Sequence, residues 1–212
     1  MIIAIDGPSA AGKSTIAKLL AKELGIEYID TGAMYRAVAL KVGREGLDTG
    51  DEEALDSLLA RTDVDLDGPR VLLDGEDVSG LIRTEEVSME ASRVSAIPAV
   101  RQKLVALQRE MGARKSVVMD GRDIGSNVFP GAEHKFFITA SPEVRAGRRL
   151  KELVGRGVAA DYDDVLEDVK KRDYDDSNRA LNPLVQTEDA VLVVTDDAGI
   201  DEVLEIVINY LQ

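Results

Sequence analysis

The chain has 212 residues, enough for one substantial core with a smaller unit appended, and at this size about 70% of the unfolded surface is buried on folding. Apolar residues make up 44% and charged residues 31%, a balance that excludes global disorder and fibrous repeats, while the absence of cysteine removes disulfides, thiol catalysis and thiolate metal sites. With 40 acidic against 26 basic residues the formal charge is -14, a field that disfavours nucleic acid polymers and anionic membranes, so any anionic substrate must be held locally by amide groups and selected Arg or Lys.

The opening MIIAIDGP enters an apolar run without a basic leader, and no 18-residue apolar stretch follows, so the expected compartment is the cytoplasm. Met1 to Ile5 reads as a buried strand. Ile16, Leu19, Leu20 and Leu24 then recur at helical spacing until Gly25. Glu27 to Ile29 is a second short strand, with Thr31 as expected cap of a helix to about Arg44, and Asp51 to Ala60 forms another helix with an acidic first turn. The run VDLDGPRVLLDGEDV alternates around Asp67-Gly68 and Asp74-Gly75, a hairpin signature of open loop length, and Arg83 to Met111 is helical with a break near Ile97-Pro98.

Strands resume at Ser116 to Met119 and Lys135 to Thr139. Ser141 caps a helix to about Val154, Asp161 starts another to about Tyr174, and Ala190 to Val194 with Ile200 to Leu211 close the chain as strand and helix. Short apolar strands alternating with helices predict a three-layer α/β fold with a mainly parallel sheet. Residues 1–62 and 96–212 are expected to form its core, and 63–95 an insertion too small for a core of its own.

Gly7, Pro8, Ser9, Ala10, Ala11, Gly12, Lys13 and Ser14 spell GxxxxGK[ST], followed by Thr15, between a strand and a helix. Glycines let the chain curl so that successive amides face phosphate oxygens, and the helix adds its positive end. In such a loop the lysine reaches the β- and γ-phosphates of a nucleoside triphosphate and the serine hydroxyl can ligate Mg²⁺. Asp120 ends another apolar strand, where it can hold a Mg²⁺-bound water; Asp6 ends the first strand and is expected to brace the loop. Between Arg145 and Arg156 stand five basic residues against Glu152 alone, beside Gly155 and Gly157, so residues 148–161 are read as a lid able to close over phosphates. His134, the only histidine, carries no zinc site.

Beyond the phosphate loop, the blocks YIDTGAMYRAVA at 28–39, LLDGEDVSGLIRTEEV at 72–87, SRVSAIPAVR at 92–101, DGRDIGSNVFP at 120–130 and RDYDDSNRALNPL at 172–184 give the chain its specific pattern. In this order they resemble bacterial cytidylate kinases, members of the nucleoside monophosphate kinase family. That resemblance implies a P-loop kinase fold with a five-stranded parallel central sheet, an enlarged monophosphate-binding insertion and a short lid, with ATP and Mg²⁺ as cofactors. It implies a monomer that phosphorylates CMP and dCMP. Thr31, Gly32, Tyr35 and Arg36 would border the acceptor, Ser92, Arg101 and Asp123 would read cytosine, and Arg122, Arg172, Asp176 and Arg179 would meet acceptor phosphate and sugar. Catalytic charge would come from Lys13, Arg122, Arg148, Arg149 and Arg179, with Arg156 on the ATP side and the metal at Ser14 and Asp120. Ala11, Thr31 and Ser126 depart from common family residues, Ala11 requiring a compatible backbone angle.

Cytosine offers an amine donor beside ring acceptors, which suits a carboxylate paired with a guanidinium, whereas uracil would set a carbonyl against the carboxylate. A small P-loop kinase for UMP, AMP or another metabolite is the alternative enzyme. A nucleotide-regulated binding module is the alternative of another class, although no NKxD sequence accompanies its short DxxG-like strings.

Overall fold

The computed structural model describes residues 1–211. Two compact units emerge, one made of residues 1–28 and 116–211, the other of Ile29–Lys115. The second contains the 63–95 stretch together with the helices on either side of it.

In the first unit, β1 (Ile2–Asp6) leads through the glycine-bearing loop into α1 (Lys13–Leu24) and β2 (Glu27–Asp30), whose last residues enter the second unit. The chain returns as β6 (Val117–Asp120), β7 (His134–Thr139), α6 (Pro142–Gly155), α7 (Tyr162–Asn178), β8 (Val191–Val194) and α8 (Ile200–Leu211). The five strands form the expected parallel sheet in the order β2-β6-β1-β7-β8. The connection from β1 runs to β2 on one side and that from β6 to β7 on the other, so a crevice opens at the carboxyl ends of β1 and β6, where Asp6 and Asp120 stand.

Apolar residues on one face of the sheet, Ile3, Ile5, Val118, Phe136, Ile138 and Val193, pack against Ile16 and Leu20 of α1 and Val203 and Val207 of α8. That interlocking fixes the sheet beneath the phosphate loop. A second small cluster, Ala146, Leu153, Val165 and Val169, joins α6 to α7. No helix among the described residues is long and apolar enough to cross a membrane.

The second unit holds α2 (Thr31–Glu45), α3 (Glu52–Ala60), β3 (Val64–Asp67), β4 (Arg70–Leu73), β5 (Glu76–Asp77), α4 (Glu85–Val94) and α5 (Pro98–Arg114). The helix expected to be capped by Thr31 is capped instead by Asp30, whose carboxylate accepts from Ala33 N at 2.8 Å, because β2 runs straight into the helix. The alternating segment becomes a three-stranded antiparallel meander. Its second loop is the two-residue Asp74-Gly75, with φ of 52° and 84°, the pattern of a type I′ turn.

Asp74 also serves as an anchor, since Lys41 Nζ of α2 donates to its Oδ2 at 2.6 Å and to Arg61 O at 2.9 Å. The Lys41 side chain is only 7% exposed against 41% for Asp74, so removing the carboxylate strands a buried ammonium. Asp74→Ala is expected to lower unfolding stability by about 2 kcal/mol in a denaturant titration, less than for a fully buried pair, and Asp74→Asn to recover part of the loss.

Candidate active site

The phosphate loop presents an uncapped helix. Gly12 occupies the N-cap of α1 at φ 92° and provides no side-chain acceptor, so the first amides of α1 retain their capacity for an anion. The strained non-glycine position is Ala10, at φ 58°, and Ala11 carries no positive φ, so the constraint expected at Ala11 falls one residue earlier. Lys13 is buried and its Nζ donates to Pro8 O at 2.6 Å, which holds the ammonium against the loop.

Beside it, Ser14 Oγ donates to Asp120 Oδ2 at 2.7 Å, while Tyr28 OH donates to Oδ1 at 2.8 Å. The two residues expected at the metal therefore stand together. Their hard oxygens fit Mg²⁺, which takes few protein ligands and completes its shell with phosphate and water; no group of three or more acidic, His or Cys side chains that could hold a metal ion occurs among the described residues. Asp6 does not brace the phosphate loop directly. It accepts from Ile124 N at 2.8 Å and Gly125 N at 2.7 Å, fixing a π-helical turn over Ile124–Val128, and burial pushes its pKa up to about 6 against those two bonds.

One basic side chain, Arg122, and three carboxylates act on the lysine. Burial pulls the Lys13 pKa down to about 7, the charge of Arg122 adds to this, and Asp120, Asp176 and Asp6 oppose it. Arg172 is likewise lowered by burial and then by the charges of Arg149 and Arg122. Arg122 itself is held above its usual range: burial opposes its charge, but Asp176 outweighs burial through charge and a 2.7 Å bond from Nε. For Asp176 burial would raise the carboxyl, and Arg122 keeps it below the ordinary range. Arg179 Nη2 donates to Asp123 Oδ1 at 3.0 Å, and Asn127 Nδ2 to Asp123 Oδ2 at 2.9 Å.

Within the second unit, Arg36 Nη2 donates to Asp30 Oδ2 at 3.2 Å, its buried Nε has no hydrogen-bond partner among the described residues, and Gly32 leaves room beside it. Arg101 is buried, donates from Nη1 to Ser95 O at 3.2 Å and lies 5.8 Å from the centre of the Tyr35 ring. Thr31 is buried in the first turn of α2, and Ser92 lies on α4 with its carbonyl accepting from Ser95 Oγ.

The arginines expected in the lid divide. Arg149 and Arg156 share the carboxylate of Glu152. Arg148 is turned to the end of β8, donating to Thr195 Oγ1 at 2.9 Å and to Thr195 O at 2.5 Å. Arg145, assigned no role from sequence, is buried against Ser9 O of the phosphate loop and paired with Asp173 of α7. Tyr28 and Asn127 were also missed; both lie within the blocks 28–39 and 120–130, and their only sequence signal was adjacency to residues given roles.

Comparison with known proteins agrees with this arrangement. The family model for cytidylate kinase matches residues 3–212. The chain belongs to the cytidylate kinase family. The cytidylate kinase of Caldanaerobacter subterraneus subsp. tengcongensis is 55% identical over 203 residues, covering 96% of this chain and 91% of that protein. That of Clostridioides difficile is 47% identical over 209 residues, covering 99% and 97%. Among solved structures, a shikimate kinase from Bacteroides thetaiotaomicron superposes with a TM-score of 0.51 at 13% identity, covering 100% of this chain and 98% of that one. That likeness concerns the fold alone, whereas the relatives of high identity place the whole length of this chain among the cytidylate kinases.

Proposed function

We propose that the protein transfers the γ-phosphoryl group of ATP to CMP or dCMP, giving ADP and CDP or dCDP, in the cytoplasm, with one chain supplying every residue the reaction needs. An oxygen of the acceptor's α-phosphate attacks the γ-phosphorus in line as the bond to the β–γ bridging oxygen breaks. The acceptor is already an anion, so no side-chain base is required. The observation that carries this reading is the uncapped start of α1, where Gly12 leaves the first amides open beside the buried Lys13 and the Ser14–Asp120 pair. Unpaired amides at a helix N-terminus beside a buried ammonium form a site suited to a polyphosphate.

Lys13 and backbone N–H groups within residues 7–15, Pro8 having none, hold the donor phosphates, and Ser14 with Asp120 would hold Mg²⁺. Held by Ser14 and Asp120, Mg²⁺ would supply positive charge to offset that of the phosphates. Arg36, Arg122 and Arg179 draw the acceptor phosphate, with Arg172 and Asp176 toward its sugar, so that much of the rate comes from alignment. Arg149 and Arg156 close over the donor from the 148–161 lid. Thr31, Gly32 and Tyr35 border the acceptor, and residues 63–95 enlarge its domain. Ser92, Arg101 and Asp123 read the base, the Asp123 carboxylate accepting from the cytosine amine.

A coupled assay with MgATP and matched CMP, dCMP, UMP, AMP and GMP tests the reaction and its selectivity together; turnover greatest with a purine or UMP would replace this reading with the alternative kinase. Asp123→Asn is expected to reduce kcat/KM for CMP by about 1–3 kcal/mol of transition-state stabilisation while UMP suffers less, because its carbonyl can meet the new amide donor. Equal losses for both acceptors would assign Asp123 to positioning Arg179 instead of reading the base.

A further inference from the structure

Helix α6 reaches the phosphate loop directly through Arg145 and, by way of Thr195, through Arg148. Arg145 and Arg148 are three residues apart and share a face of the helix. Arg145, 3% exposed, donates from Nε to Ala140 O at 2.8 Å and from Nη1 to Ser9 O at 3.3 Å. Its Nη1 and Nη2 also meet both oxygens of Asp173, at 2.8 and 2.5 Å. Arg148 grips Thr195, whose Oγ1 donates to Ala11 O at 3.3 Å.

A loop that turns amides toward phosphate turns carbonyls away from it. The two carbonyls so engaged flank Ala10, the residue at φ 58°. A side chain in that region costs on the order of 1 kcal/mol or more, so neighbouring bonds must over-determine the conformation. Arg145 supplies one such bond, and the same guanidinium is forked onto α7. Asp173 follows Arg172 directly and precedes Asp176 by three residues, and both are acceptor residues in the reading above. A forked pair resists rotation as well as separation, so one guanidinium ties the Ser9 carbonyl to α7.

We propose that Arg145 and Asp173 are a positioning pair that couples ATP at the phosphate loop to acceptor binding on α7, so that each nucleotide tightens the other. This inference rests on the phosphotransfer reading above. Coupling between binding sites is reciprocal, and a typical size is about 5- to 150-fold.

The test is calorimetry of CMP binding with and without saturating Mg²⁺ and β,γ-imido-ATP, and of the analogue with and without CMP, on the wild type, Arg145→Lys and Asp173→Asn. The wild type is expected to bind CMP at least 5-fold tighter with the analogue present. In both variants that factor should fall toward 1, by the same amount in either order of addition, while affinity for each ligand alone changes by less than about 3-fold. A merely structural role would lower the single-ligand affinities and leave their ratio intact, and that result overturns the proposal. So does a wild-type factor of 1, or variants that keep the wild-type factor. Failure of wild-type protein to bind CMP under any condition would instead overturn the phosphotransfer reading, and with it the basis of the pair's role. Asp173→Asn leaves Arg145 a buried cation without its carboxylate; should that variant not fold, Arg145→Lys retains the charge pair and decides the question alone.

Discussion

Gly7→Ala should yield a protein that is both destabilised and inactive. A Cβ at Gly7 would lie 2.0 Å from the carbonyl oxygen of Ile138 and 3.0 Å from its carbon, and the backbone φ of 142° already disfavours a side chain. The obstacle is the backbone of β7, clamped in the sheet between β1 and β8, so no rotamer change relieves it. Strain and overpacking together should cost on the order of 3 kcal/mol or more, a fall in midpoint of roughly 6–12 °C for a chain of this length. Gly12→Ala is the informative contrast, since its φ of 92° is also unfavourable but nothing lies within 4 Å of an added Cβ. It should lose less stability, as read by thermal unfolding. Similar midpoints for the two variants would mean that β7 yields and that the close approach at Gly7 carries little weight.

Lys13→Met is expected to separate activity from stability in the opposite sense. Phosphoryl transfer should fall by about 10²–10³-fold or more in kcat, because the charge on the transferring group is lost. The fold should not suffer. With the Lys13 pKa at about 7, below its ordinary 10.5, the folded protein bears a cost for holding this proton that the unfolded chain does not. That cost is fully present below pH 7 and fades as pH rises through the window up to about 10.5. Lys13→Met should therefore match or exceed wild-type melting temperature at pH 6, and its advantage should shrink by pH 9. Loss of the bond to Pro8 O works against the gain at every pH alike and leaves the pH trend intact. A variant less stable at pH 6 than at pH 9, relative to wild type, would remove this account of the buried lysine.

Local chemistry was readable and distant pairing was not. The phosphate loop is defined within eight consecutive residues, and its turn needs only glycines and an uncapped helix, so spacing sufficed. The starts of α5 and α6 followed from Pro98 and Pro142, and the span of α8 from apolar spacing. Helix α7 was expected to end near Tyr174 because Asp175, Asp176, Ser177 and Asn178 continue no apolar stripe, yet it runs to Asn178. Asp176 in that last turn is held by Arg122, 54 residues away in sequence. The turn over Ile124–Val128 depends on a carboxylate 118 residues earlier, and Arg145 gains its place through Ser9, 136 residues away. No window along the chain contains such partnerships. What the recurring blocks identified was a set of residues, and the pairs among them are a property of the fold.

Those pairs bear on which anions the protein admits. Arg122 is bonded to Asp176 and Arg179 to Asp123, so the guanidiniums come with counterions attached to the same framework. An incoming anion would therefore share each guanidinium with a fixed carboxylate already aligned by geometry. Chloride or acetate, with one diffuse or single charge, brings no advantage over the resident group. A phosphate ester near neutral pH brings close to two charges on three oxygens and can engage both arginines while each retains its neighbour. If these arginines meet the acceptor phosphate as proposed, the carboxylates would act as a threshold that favours doubly charged ligands over singly charged salt.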